Sequence, residues 1–511
     1  MATLVLVTVV VVCWAAASPL FAGPDEPSHQ RKAAGVVRGQ LTDDIDPRTG
    51  AGIVEAPAVL DNDSACYAFD PDQPADCLDV ADAGGAVDLG HTATGYPPGY
   101  YAVVGVPTLL TGGRPMLYGQ RAVGGVLAAA LVALAALALA ELPDPRHALL
   151  GLGVALTPMV LFLASVVNPS GAAIAAAVAT WAGGYQLARR APVDRLAGLV
   201  ARTAGPLCVL ILVRRDTVVW AAVVVAALVA VVPPERRAAL AGARPVWAGG
   251  AAVAIATVVQ LWLAGVTRLS SFAEKAVLAP APATDAGWVV DQEALLVRQM
   301  VGVLGWLDTE LPAALHWLVV ALVASLVITA VRHGPRRVAV VALVLVVGLA
   351  VTWLALAFVR PGYAHGRYLL PVAVGVPLLA AAGAAEGGRR PVSPTARVWP
   401  PVASAVALGL VWAVEVVAFW TNLRRYAVGA SGPWWFPGSE AWVPPLVPSL
   451  VLVAVDAVAM AALVGTWWRS SPPAPGAPAP HDVDLAPGTA QPPPSQPSAS
   501  AASAPTVVDS P

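Results

Sequence analysis

Lysine is almost missing from this sequence: Lys32 and Lys275 are the only two among 30 basic residues, and charged residues make up 12% of the 511-residue chain. Soluble domains carry about 25% charged residues, and a soluble fold of this length could not hide a hydrophobic fraction of 57% from water. The lack of lysine beside an excess of Ala and Val looks like codon bias in a GC-rich genome, which lowers the weight of any single Arg. No basic run or base-reading module occurs and the net charge is -2, so nucleic acid is excluded as a partner. There are four cysteines, with no Cys cluster or His pair at zinc-ligand spacing, which argues against a structural zinc. No internal repeat of the kind found in inverted-repeat transporters is visible.

What the chain does have is length of apolar run, with a mean hydropathy of +0.69. Crossing about 30 Å of hydrocarbon takes roughly 20 apolar residues. Twelve such runs can be read: Leu4 to Phe21, Gln120 to Leu142, Ala148 to Val167, Gly171 to Ala188, Leu196 to Val213, Thr217 to Val232, Val246 to Val266, Pro312 to Val331, Val338 to Val359, Leu369 to Ala385, Val402 to Trp420 and Val447 to Trp468. The fifth, holding Arg202 and Pro206, and the short sixth are the weakest and could form a broken or re-entrant pair. The expected fold is an all-α, polytopic integral membrane protein of about twelve transmembrane helices over residues 1–469, with a long first loop over residues 23–117. From Ser470 to Pro511 the chain is Pro, Ala and Ser, too poor in apolar residues to fold, and is expected to be a disordered tail.

Short loops keep Arg on the cytoplasmic side. With a cytoplasmic N-terminus, the loops bearing Arg146, Arg189/Arg190/Arg195, Arg236/Arg237/Arg244, Arg332/Arg336/Arg337, Arg389/Arg390/Arg397 and Arg469 all fall inside. This predicts a plasma (inner) membrane protein with N-terminus and tail in the cytoplasm. The first run could instead be a cleaved leader ending near Ala15-Ala16-Ala17-Ser18, but it has no basic n-region, so an uncleaved anchor is expected. Cys13 and Cys208 lie in spans as apolar fillers, whereas Cys66 and Cys77 share the long outer loop, where a disulfide is expected and two free thiols are the alternative.

Function has to come from polar residues held at the outer boundary. Pro24-Asp25-Glu26-Pro27-Ser28-His29 follows the first span, and adjacent carboxylates there could act as a general base or hold a divalent cation; equally, Pro, Asp and Glu favour a first helical turn. Gly95-Tyr96-Pro97-Pro98-Gly99-Tyr100-Tyr101 could be an interfacial aromatic belt or a platform for a sugar or lipid. Asn168-Pro169-Ser170-Gly171 is explained by turn chemistry, and Asp308 of Gly305-Trp306-Leu307-Asp308-Thr309 by a helix start. His365-Gly366-Arg367-Tyr368 and Asn422-Leu423-Arg424-Arg425-Tyr426 place Arg at outer span ends, against the general trend. Such an Arg either clamps phosphate or snorkels. Arg214-Arg215-Asp216 is a third candidate of this kind.

Taken in order from the first span to Tyr426, these six motifs, with Gly366 to Pro371 as Gly-Arg-Tyr-Leu-Leu-Pro, resemble the bacterial membrane family catalogued as domain of unknown function 2142. That family is similar to the GT-C class of glycosyltransferases, which take sugars from polyprenyl-phosphate carriers at the outer face. The resemblance implies a membrane hexosyltransferase with a GT-C-like fold, a polyprenyl-phosphate-linked sugar donor and a glycan or lipid acceptor of the cell envelope. By position it implies Asp25 as the catalytic residue with Glu26 as its neighbour. His29, Tyr100, Tyr101, Arg367, Tyr368, Arg424 and Arg425 are then the expected substrate-binding residues, and a divalent cation at Asp25 and Glu26 is the one cofactor that could be named. Where the family more often has an acidic residue after Asn-Pro, this chain has Ser170, so no catalytic role is carried onto it. Gly95 stands where the aromatic segment often begins with His, and His91 is out of register. Two other readings remain open. A transporter or flippase of a lipid-linked saccharide would use intramembrane polar residues, for which Arg202, Gln260, Glu415 and Asp456 are the candidates. A non-catalytic envelope-assembly protein would need no single outer residue.

Overall fold

The first apolar run folds as α1 (Ala2–Ala17) and stops at Ser18, which is extended (φ -113°, ψ 122°) because the Pro19 ring disfavours a helical residue before it. This computed structural model describes residues 1–42, 44–61, 65–80, 84–190, 195–266, 285–359, 365–387, 398–445 and 447–470. The tail beyond residue 470, the Arg389/Arg390/Arg397 loop and segments 267–284 and 360–364 lie outside the described residues.

In chain order the next elements are α2 (Glu26–Val37), β1 (Asp44–Ile45), β2 (Gly52–Pro57), β3 (Ala86–His91), α3 (Pro98–Val104), α4 (Pro107–Leu110), α5 (Gly113–Ala140), α6 (Pro145–Ala155), α7 (Pro158–Ser165), α8 (Pro169–Arg190), α9 (Leu196–Val213), α10 (Thr217–Val231), α11 (Pro234–Gly242) and α12 (Arg244–Val266). They are followed by α13 (Ala286–Val301), the short pair β4 (Val303–Leu304) and β5 (Thr309–Glu310), α14 (Ala313–His333), α15 (Arg336–Val359), α16 (Leu370–Ala373), α17 (Gly375–Glu386), α18 (Pro401–Val428) and α19 (Ser449–Arg469). The chain is a mostly helical, multi-pass membrane protein, and each of the twelve apolar runs is helical.

Seven of these helices are long and apolar enough to cross a bilayer singly, and up to nine spans result if each of two bent pairs counts as one. The bent pairs are α6 with α7, at 66°, and α10 with α11, at 119°. In both, a proline at the start of the second helix removes a backbone donor and blocks continuation. The fifth run, expected to be weak, is a continuous 18-residue helix in spite of Pro206. α1, α8 and the α16–α17 stretch account for the other three runs.

α8 threads the middle of the bundle, and residues 172–179 on it are Ala, Ile and Val with exposures of 3% or less. Small side chains let neighbouring helices close in, which is the main source of packing energy where lipid is as apolar as protein. The same device joins α6 to α17: a Cβ on Gly151 would stand 2.8 Å from the Pro377 carbonyl oxygen. α1 belongs to this core too, with Trp14 fully buried and edge-on to Phe419 of α18 at 5.5 Å.

One end of the bundle is capped by the first long loop. β2 pairs antiparallel with β1 and with β3, Val54 standing opposite Leu89, and β2 alternates buried and exposed positions as a half-buried strand should. Its buried face rests on α2, where a Cβ on Gly35 would stand 2.9 Å from Val54. A disulfide joins Cys66 to Cys77 across 11 residues of this cap.

Candidate active site

Between α1 and α2 the chain runs through residues 18–25 without regular structure, and from Ser18 to Pro24 it is buried. Buried backbone carbonyls need partners, and here they are found far away in sequence. Arg121 of α5 donates to the carbonyls of Ala15, Ser18 and Pro19 at 3.0, 2.7 and 2.7 Å. Asn422 of α18 donates to Ala17 O at 3.4 Å and to Ser18 Oγ at 3.1 Å. The Trp306 indole donates to Phe21 O at 3.0 Å, the Tyr67 hydroxyl to Leu20 O, and the Asn168 amide to Pro24 O at 2.9 Å. Three of the motifs singled out in the sequence therefore converge on one short segment.

The residue that this segment presents is Asp25. Its backbone is left-handed (φ 59°, ψ 14°), and although it occupies the N-cap of α2 its carboxylate makes no capping bond. Asp is among the residues that tolerate this region, and the twist turns the side chain outward, half-exposed, with Oδ2 3.7 Å from Nη2 of Arg367.

Glu26, the expected neighbour of the catalytic residue, points the other way, and both of its oxygens are occupied. Oε1 accepts from Arg121 Nε at 2.8 Å and Val167 N at 2.9 Å. Oε2 accepts from Arg121 Nη2 at 2.7 Å and Gly23 N at 3.0 Å. Both side chains of the ion pair are fully buried. With every carboxylate lone-pair direction filled, Glu26 can neither take a proton from an acceptor nor contribute to a cation site. Asp25 is left as a single ligand, so the pair does not fit a divalent ion. Among the described residues no group of three or more His, Cys, Asp or Glu could hold a metal. Arg121, with all five donors in use, is the residue that sequence reasoning missed; a charged fork one residue into an apolar run was its signal.

Arg367 lies in the short turn Gly366–Tyr368, fixed by the Gly366 amide donating to Gln299 Oε1 at 2.6 Å. The side chain is 5% exposed, yet Nε and Nη1 meet no hydrogen-bond partner among the described residues. Beside it, the Tyr368 ring lies 5.2 Å from the Arg367 guanidinium and 4.8 Å from that of Arg214. Arg214 in turn donates to Asp216 Oδ1 at 2.9 Å and to Ser170 Oγ at 2.8 Å and covers the Tyr96 ring at 5.4 Å. A narrow recess is lined by Ser170, Arg214, Asp216, Arg367, Tyr368 and Pro371. Two imidazoles border this cationic region. Burial, then Arg367 and Arg214, push His365 down to about 4. Burial, then Arg214, Arg367, His91 and Lys32, hold His29 well below its usual value. Both rings are neutral near pH 7.

His29 Nδ1 pairs with the Tyr101 hydroxyl at 2.9 Å, and Lys32 Nζ stands 5.8 Å from the Tyr101 ring centre. Tyr100 and Tyr101 are 4% and 0% exposed. They pack edge to face at 5.4 Å; Tyr96 is the tyrosine of this segment that meets Arg214. The two late arginines, expected to bind substrate, are engaged with loop carbonyls. Arg425 donates to the carbonyls of Gln73, Tyr67 and Asp70 at 2.6 to 2.8 Å and to Asp308 Oδ2 at 3.3 Å, so it fastens the disulfide loop. Arg424 donates to the Pro433, Ala430 and Gly432 carbonyls and so folds its own loop.

A family model described as a predicted membrane protein, DUF2142, matches residues 8–376. No curated protein matches. Two solved structures of ArnT from Cupriavidus metallidurans are similar to the chain. One is the apo state, with 14% identity over 92% of this chain and 76% of that chain and a TM-score of 0.45. The other is bound to undecaprenyl phosphate, with 15% identity over 91% and 76% and a TM-score of 0.46.

Proposed function

We propose that this chain, which belongs to the DUF2142 family of predicted membrane proteins, is a GT-C-like glycosyltransferase. In this reading it moves a sugar from a polyprenyl-phosphate donor to a cell-envelope acceptor on the extracytoplasmic face. The observation that carries the reading is the pairing of one half-exposed carboxylate, Asp25, with a buried guanidinium, Arg367, that has donors to spare. An acid on a rigid segment beside an unsatisfied cation suits a reaction that takes a proton at one atom and develops phosphate charge at another.

The acceptor hydroxyl oxygen attacks the anomeric carbon while Asp25 takes its proton. The bond from that carbon to the phosphate oxygen breaks, and the polyprenyl phosphate leaves with the electron pair. Arg367 Nε and Nη1 meet the charge that grows on the phosphate, and a planar fork suits two-point contact with its oxygens. Neutral His29 and His365 neither compete for the phosphate nor add to the cationic field. A cavity of about 460 Å³ supports a lipid donor: its walls are aliphatic apart from Thr157 and Glu293, and they include Leu370, three residues beyond Arg367.

Asp25→Asn is expected to reduce transfer by about 10²–10⁴-fold, the range for a lost general base, with donor-lipid affinity unchanged in a purified assay. Full activity in that variant would remove the base assignment. A second reading, movement of a lipid-linked saccharide across the bilayer, draws on Glu415 and Asp456, buried in α18 and α19 with unpartnered oxygens. Flux into liposomes without any sugar transfer would favour it.

A further inference from the structure

Arg214 and Asp216 have no part in the chemistry above, yet they are built into the same recess. Arg214 is held from three sides. Nε and Nη2 reach the two oxygens of Asp216 at 2.9 and 3.3 Å, Nη1 reaches Ser170 Oγ at 2.8 Å, and the guanidinium stands 5.4 Å from the Tyr96 ring centre and 4.8 Å from that of Tyr368. It is 9% exposed, against 39% for Asp216. Every guanidinium nitrogen of Arg214 already has a partner, with one N–H each on Nη1 and Nη2 beyond these bonds, whereas Nε and Nη1 of Arg367 meet none among the described residues. Tyr368 is shared: its ring faces both guanidinium groups, and its hydroxyl lies 3.4 Å from Arg367 Nη2. Two like charges brought together in a poorly solvated recess repel, and the ring face, which carries negative quadrupole, gives each a favourable neighbour. The chain of contact runs from α8 (Ser170) and the α9–α10 turn (Asp216) through Arg214 to Tyr368, and from there to Arg367 and Asp25.

We propose that Arg214, oriented by Asp216 and Ser170, is a positioning residue that seats Tyr368 and thereby fixes Arg367 opposite Asp25. The role of the seated pair rests on the glycosyltransferase reading; the seating itself does not. The two are separated by a measurement that needs no substrate: the rate at which phenylglyoxal modifies Arg367 in the purified full chain, followed by mass spectrometry. Arg121, equally enclosed and bound to other groups, is the internal reference. Asp216→Asn and Arg214→Gln are expected to raise the Arg367 rate on the order of fivefold, the factor expected when a contact of ordinary strength is lost, and to leave Arg121 unchanged. Arg214→Lys, which restores the charge without the fork, is expected to fall in between. An Arg367 rate equal to wild type in Asp216→Asn, with Arg121 still protected, overturns the proposal; this half-exposed position carries the test if Arg214→Gln does not fold. Farnesyl phosphate is the second probe. Arg214→Gln and Tyr368→Leu should each weaken its binding several-fold and, acting in series, should not add in the double variant. Additive losses would make Arg214 a direct phosphate ligand and overturn the positioning role. A faster Arg367 rate in the variants, together with a wild-type protein that does not bind farnesyl phosphate, would support the seating and count against the donor.

Discussion

At the scale of the residue, two adjacent carboxylates have been given opposite surroundings by a single backbone twist. The left-handed turn at Asp25 sends one side chain toward solvent and the next into the protein. Glu26→Gln would leave the Arg121 charge buried without its counter-ion, an event that typically costs about 3–5 kcal/mol. The expected result is a clear fall in thermal midpoint in detergent, and a midpoint within a degree or two of wild type would show that the pair is dispensable. Replacing both partners with apolar residues should not restore stability, because Arg121 also satisfies three carbonyls at the end of α1. None of this division was legible in the sequence, where Asp25 and Glu26 differ by one methylene. The motif marked the place; contacts more than 90 residues distant in the chain assigned the roles. The same holds for arginine. Arg367, Arg424 and Arg425 read alike as span-end cations, and only the loop carbonyls that claim the last two set Arg367 apart.

At the scale of the element, each of the twelve apolar runs falls on a helix or a helix pair, because lipid imposes a length on anything that crosses it, although among the described residues seven to nine of them are long and apolar enough to span. Run length does not report bends: residues 148–167 read as one span, and the structure breaks them into α6 and α7 at the proline-led start of the second. The strands of the cap were also invisible, being short and polar on one face. Within that cap, residues 66–77 are closed by a disulfide and gripped by Arg425. Cys66→Ser with Cys77→Ser should cost roughly 3 kcal/mol of loop-closure constraint. Limited proteolysis should then cut between residues 66 and 77, and a cap that stays resistant would mean that Arg425 and Asp308 suffice without the covalent link.

At the scale of the whole molecule, the cap, Asp25, Arg367 and Arg425 lie at the same end of the bundle as the residue 430–445 loop, whereas His333 terminates α14 at the other. Arg placement in the short loops predicts that the capped end faces outward. A cysteine introduced at exposed Ser439 should react with a membrane-impermeant maleimide added to intact cells, and one at exposed His333 should react only after lysis. The reverse pattern would put the site in the cytosol and remove an outer-leaflet donor.

The segment that carries Asp25 is tied to residues as far as 404 positions along the chain. During synthesis the ribosome delivers the acid almost at once, but the groups that hold it in posture emerge over the whole of translation, with Asn422 near the end. Under the proposed function, a nascent chain would carry its general base long before that group is held in place, and activity is expected only after the last residues that fasten it have been made.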